Sequence, residues 1–128
     1  MYLRFVTHRV DDDSNRRQGV FQAIRALREE GGLSEEEKER VGDLRNWFNE
    51  RLEKPKSFSK STRPHATPRA ISWFKDTAKE HIAKMYELVA ILRAHNVTVE
   101  VVRTARPGYI VYEDAFQVTA EPFAETNT

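Results

Sequence analysis

Tyr2, Leu3, Phe5 and Val6 are interleaved with Arg4 in a short β-prone run, which predicts a first strand over residues 2–7. The polar run DDDSNRR that follows puts acids where a helix dipole favours them, and so predicts a helix start. Val20, Ile24 and Leu27, with Phe21 alongside, mark one face of that helix, and Gly31-Gly32 ends it. Ser34 and Glu37 have the spacing of a capping box. Val41, Leu44, Phe48 and Leu52 then stripe a second amphipathic helix, widened by Trp47 and closed by Pro55. The strongest periodic run is Ile71, Phe74, Ala78, Ile82, Met85, Val89 and Leu92, at steps of three and four. It predicts a third helix ending at His95-Asn96 and starting either at Thr67-Pro68, a cap followed by a first-turn proline, or at Ser72. The earlier start gives about 28 residues and roughly 40 Å.

The remainder reads as β. VTVEVVR (97–103) alternates, TARPG turns, YIVYE (109–113) and FQVTAEPF (116–123) are strands, and the short ED between them predicts a tight hairpin. The expected fold is α+β in the order β-α-α-α-β-β-β. A four-stranded, largely antiparallel sheet with three helices packed on one face would bury all these stripes. Residues 1–123 are expected to form a single domain and 124–128 a frayed tail.

Composition narrows the function classes. The 128 residues suffice for one core, and an aromatic share of 10% argues for burial even though 32% of residues are charged and the mean hydropathy is −0.69. Lys and Arg total 21 against 20 Asp and Glu, a net charge of +1, so any attraction to nucleic acid must be local. Cysteine is absent, which removes disulfides, thiol nucleophiles and thiolate metal sites. No run has the pattern of a signal peptide or the length of a membrane span, and a cytoplasmic protein is expected.

One segment departs from this balance. From Lys54 to Arg69 the chain carries Lys54, Lys56, Lys60, Arg63 and Arg69 with no acid, together with five hydroxyl residues, Phe58 and His65. Cations, hydroxyls and rings are the components of a phosphate or nucleic-acid site, and a following helix N-terminus would add backbone donors. The competing reading is a solvated loop that balances the acidic SEEEKE of helix two. A second cluster, RTARPGYIVYED, brings Arg103, Arg106, Tyr109, Tyr112, Glu113 and Asp114 to one hairpin, although Pro107-Gly108 and Glu113-Asp114 also suit plain turns. His8 beside Asp11–Asp13 is better explained by a helix start than by a metal. His81 reads as a flank residue and His95 as a helix end, so His65 alone lacks a structural role. Trp73 stands at the predicted entry to helix three, where it could line a pocket. No cofactor or metal site is predicted, and the Gly-rich, G-x-S-x-G and H-E-x-x-H motifs are absent.

Three segments, RRQGVFQAIRALREEGGL, RPHATPRAISWFKDTAKEHIAKMYELVAIL and RPGYIVYEDAFQVTAEPF, resemble a group of short uncharacterised bacterial proteins along nearly the whole chain. That resemblance implies a bacterial, cytoplasmic, stand-alone domain and brings no activity or site residue with it. The leading expectation is a binding protein for an anionic small molecule or nucleic acid. In it Lys60, Arg63 and Arg69 contact the anion, Arg106 makes a second clamp, and His65, Trp73 and Tyr109 orient or stack. One alternative is a small enzyme with His65 and Glu113 as an acid-base pair. Another is a protein-protein interaction module or inhibitor, as a homo-oligomer through helix three or with another protein partner.

Overall fold

The first strand runs past its predicted end. In a computed structural model, which describes residues 1–12, 15–54 and 70–128, β1 spans Tyr2–Asp11 and turns back into β2, Arg16–Gly19. The pairing is antiparallel, with Val10 opposite Arg17 and Asp11 opposite Arg16. Asn15 makes the turn: its φ of 56° is one that Asn tolerates, and its amide donates to the Asp11 carbonyl at 2.8 Å. Of the polar residues expected to start a helix, Asp11, Asn15, Arg16 and Arg17 therefore belong to a hairpin and its second strand, and 13–14 lie outside the described residues.

Among the described residues six strands and three helices follow the order β1, β2, α1 (Val20–Glu29), α2 (Glu35–Arg51), β3 (Ile71–Lys75), α3 (Lys79–Ala94), β4 (Val99–Thr104), β5 (Tyr109–Glu113) and β6 (Gln117–Glu121). The sheet order is β2-β1-β3-β6-β5, with β4 also pairing with β1. This corrects the expected four-stranded sheet and its β-α-α-α-β-β-β order. Two strands, β2 and β3, lie in stretches whose spacing or polarity reads as helical. The class remains α+β.

The chain divides into two compact units. One comprises Met1–Arg4, Lys54–Ile82 and Val101–Thr128. Within it β3 lies between β1 and β6, with Leu3 opposite Phe74 and Trp73 opposite Val118, and β5 pairs with the far side of β6. Every residue of β6 is buried, so this strand is covered on both faces. The register puts Ile71, Trp73, Lys75, Val118, Ala120 and Glu113 on one face. Ser72, Phe74, Gln117, Thr119, Tyr109 and Tyr112 share the other. Trp73 is 1% exposed; burying its ring is worth roughly 4–6 kcal/mol at the usual area coefficient.

The other unit comprises Phe5–Glu53 and Ala83–Glu100. In it α2 starts at its expected capping box and α1 and α3 end at their expected caps, while α1 starts at Val20, later than the polar run predicts. The Gln22 side chain accepts from the Gly19 amide at 3.0 Å and starts α1. Ser34 and Glu37 form the reciprocal capping box of α2, at 2.9 and 3.1 Å. Gly31, at φ +76°, and Asn96, at φ 63°, end α1 and α3 in left-handed caps. In each cap the next amide reaches back to a carbonyl of the last turn, Gly32 to Leu27 and Val97 to Leu92, both at 3.0 Å. Val6, Val20, Val41, Leu44, Leu88 and Leu92 are all at most 1% exposed and make the centre of this unit's core. Edge-to-face pairs of Phe5 with Tyr86 and of Phe21 with Phe48 extend it.

Candidate functional site

The turn between β4 and β5 is built by short-range chemistry. Thr104 Oγ1 accepts from the Arg106 amide at 3.1 Å, and Pro107 is buried. Gly108 sits at φ +134°, where a Cβ would lie 2.1 Å from the carbonyl oxygen of Glu121. Only glycine lets the turn close against the end of β6 in this way. The residue after Gly108 is Tyr109, 43% exposed and opposite Glu121.

The C-terminal segment completes this surface. The Arg106 guanidinium lies 5.1 Å from the centre of the Phe123 ring, and Phe123 is itself 36% exposed. Thr126 ties the two together: its hydroxyl accepts from the Phe123 amide at 3.1 Å and donates to the Arg106 carbonyl over 3.5 Å. Arg103 is also exposed. One end of this unit therefore presents two guanidinium groups and two aromatic rings to solvent. The chain enters β3 at the same end, because Ile71 pairs with Ala120, which pairs with Ile110.

Lys60, Arg63, His65 and Arg69 lie outside the described residues. Arg106 lies in the turn just described and Tyr109 is the first residue after it. Glu113 stands near the opposite end of β5, where its carboxylate accepts a 2.7 Å salt bridge from Lys75. Trp73 is on a strand and faces the core, and its indole N–H has no hydrogen-bond partner.

Several polar side chains have partners that sequence reading does not supply. Asp114 organises the β5–β6 turn: one oxygen accepts from the amides of Phe116 and Gln117 at 2.8 and 3.1 Å. The other accepts from the Tyr112 hydroxyl at 2.9 Å and the Gln117 side chain at 3.0 Å. Burial alone would raise its pKa, but these bonds outweigh that and hold the carboxyl below its ordinary value. The spacing of an Asp two and three residues before the amides it caps was the available signal. His81, expected on a helix flank, is 4% exposed and stacks on Phe116 with ring centres 4.4 Å apart.

In the other unit His95 Nε2 lies 3.0 and 2.9 Å from the two oxygens of Glu37, linking the last turn of α3 to the first turn of α2. The Ser34 amide first, and then the His95 ring, lower the Glu37 pKa. No sequence signal joins these residues, each of which has a sufficient local role. No helix among the described residues is long and apolar enough to cross a membrane. No protein-family model matches the chain, and neither does any curated protein or solved structure.

Proposed function

We propose that this protein binds a phosphate-bearing ligand with an aromatic base, a nucleotide or single-stranded nucleic acid, at the β4–β5 turn. The observation that carries the reading is Arg106, exposed and seated over the exposed Phe123 ring with Tyr109 three residues on. Guanidinium groups neutralise phosphate, and exposed rings stack on bases without regard to sequence. The cation-rich, acid-free sequence 54–69 supports the same chemistry, since it leads into the strand that begins at this end of the sheet. Glu113 takes no part in the reading, because its carboxylate is held by Lys75 at 2.7 Å.

The test is fluorescence anisotropy with a labelled single-stranded decamer, with a mononucleotide as competitor. Binding through about three phosphates should give a log–log salt slope of about −2. Arg106→Ala and Tyr109→Ala should each weaken binding by about tenfold, a loss of about 1.4 kcal/mol. Lys60→Ala with Arg63→Ala measures the contribution of the basic segment separately. A mononucleotide that competes fully identifies a small-molecule site; one that does not identifies the polymer. Salt-independent binding, or affinity unchanged in both Arg106→Ala and Tyr109→Ala, sinks the proposal.

A further inference from the structure

The sheet face that carries Tyr109 owes its composition to an irregularity in β5. Tyr109 and Tyr112 are three residues apart, and in a regular strand they would point to opposite faces. The pairing with β6 shifts by one residue between Ile110 and Tyr112, so that Tyr109 stands opposite Glu121 and Tyr112 opposite Thr119. The extra residue makes a β-bulge, and the bulge turns both tyrosines to one face. Val111, at the bulge, is fully buried and fixes it in place. The partners of the two tyrosines are two residues apart on β6, which sets the tyrosine positions about 7 Å apart along the sheet.

The same face carries an unused hydroxyl donor. Ser72, Thr119 and Tyr112 form one row across β3, β6 and β5. Ser72 Oγ and Thr119 Oγ1 lie 2.9 Å apart, and such a pair uses only one of its two hydroxyl protons. Thr119 is 3% exposed and Ser72 is open to solvent, so the arrangement that strands no buried donor has Thr119 donating. The Ser72 O–H is then left for a partner above the sheet. Tyr112 is held ready, because its hydroxyl donates to Asp114 at 2.9 Å and fixes the half-exposed ring. Tyr109 follows the β4–β5 turn directly, and in that turn Arg106 lies over Phe123. The surface therefore presents, in order, a guanidinium group, a ring and a second ring.

We propose that the ligand of this surface is single-stranded nucleic acid, held by two successive nucleotides whose bases lie on Tyr109 and Tyr112. The inference rests on the reading of the β4–β5 turn as a site for a phosphate-bearing ligand with an aromatic base. One nucleotide suffices for a phosphate at Arg106 and a base on Tyr109, but the second ring stands a full step further along the strand. An extended polymer supplies a base at each step, and aromatic side chains on a sheet take up successive bases in this way. Ser72 adds a donor for the outer edge of the base on Tyr112.

Competition against the labelled single-stranded decamer tests it, with adenylate mononucleotide and dinucleotide as competitors. The dinucleotide should compete about tenfold better than the mononucleotide, the effect of one more stacked base. Tyr112→Leu should weaken decamer binding by about tenfold. Tyr112→Phe, which returns the ring without the hydroxyl, should recover most of that loss. Ser72→Ala should weaken the decamer by about threefold. Melting curves check that each variant folds; if Tyr112→Leu does not, the two competitors on the wild-type chain decide alone. Equal competition by the two, or decamer affinity unchanged in Tyr112→Leu, overturns the proposal and leaves the turn site standing. A decamer that does not bind, or that binds Arg106→Ala and Tyr109→Ala as tightly as the wild type, overturns both.

Discussion

Replacing Asp114 by alanine removes the acceptor of four hydrogen bonds at once, two from backbone amides and two from side chains. A bond to a charged acceptor is worth about 1.5–3 kcal/mol when buried, and Asp114 is only partly buried. Taking half of the lower figure for each of the four gives about 3 kcal/mol for Asp114→Ala. Asp114→Asn keeps an oxygen for the two amides and can donate to the Tyr112 hydroxyl, but it cannot accept from the Gln117 side chain. Its cost should be about 1 kcal/mol, close to that of Tyr112→Phe. Urea unfolding followed by tryptophan fluorescence gives these differences, with Trp73 in the same unit as the reporter. Acid titration gives an independent reading. A carboxyl whose folded pKa is lowered contributes stability that is complete above its unfolded value, near 3.8, and is lost as pH falls through the folded value. Stability should therefore decline below about pH 4 in the wild type, and Asp114→Asn should remove that component. An Asp114→Ala variant within 0.5 kcal/mol of wild type, as ordinary surface changes are, refutes the assignment. So does an acid response unchanged in Asp114→Asn.

Gly108→Ala combines a strained φ with a Cβ clash against backbone, and should cost roughly 2–5 kcal/mol in urea unfolding; a smaller loss would mean that the turn relaxes freely. His95→Ala should raise the Glu37 pKa part of the way back towards 4.5, read from carboxyl NMR shifts. The stability Glu37 contributes is complete above that value and lost as pH falls through the lowered one, so the variant should lose stability less steeply in acid. Trp73→Phe should remove the blue-shifted, quencher-protected part of the emission and leave the signal of the half-buried Trp47, which sits under Arg51. Lys75→Met breaks a partly exposed pair with Glu113 and should change stability by less than about 1 kcal/mol.

The helices are legible in sequence because caps are local. Ser34 with Glu37, Gly31, and Asn96 are each recognised within a few residues, and each sits where its signal puts it. The two unread strands fail for opposite reasons. Arg16–Gly19 is a polar strand of four residues with no apolar alternation to detect, and its pairing depends on a turn at Asn15. Ile71–Lys75 is apolar on both faces, so the period of two disappears: neighbouring Trp73 and Phe74 are both buried, on opposite sides. What remains is Ile71 and Phe74 three apart, in phase with the real helix that starts at Lys79. A strand covered on both faces and the first turn of a helix cannot be separated by periodicity alone.

The candidate sites follow the same division between near and far. The nearness of Arg106 to Tyr109 is local, since they stand three residues apart around one turn, whereas Phe123 reaches Arg106 only through the fold of the C-terminal segment. Glu37 and His95 are 58 residues apart, and each has an adequate local explanation, so nothing in the sequence calls for a partner. Net charge misleads in a related way. A total of +1 argues against a strong field of either sign, yet it is the sum of unlike neighbourhoods. Two exposed guanidinium groups lie at the β4–β5 turn, while among the described residues Asp11, Asp12, Glu29 and Glu30 gather by the ends of β1 and α1. At physiological ionic strength charges are screened beyond about 8 Å. A ligand therefore responds to the charges lining its own site, and the balance of the whole chain does not say where such a site lies. The spacing of like charges on a surface is the quantity that decides, and only the fold supplies it.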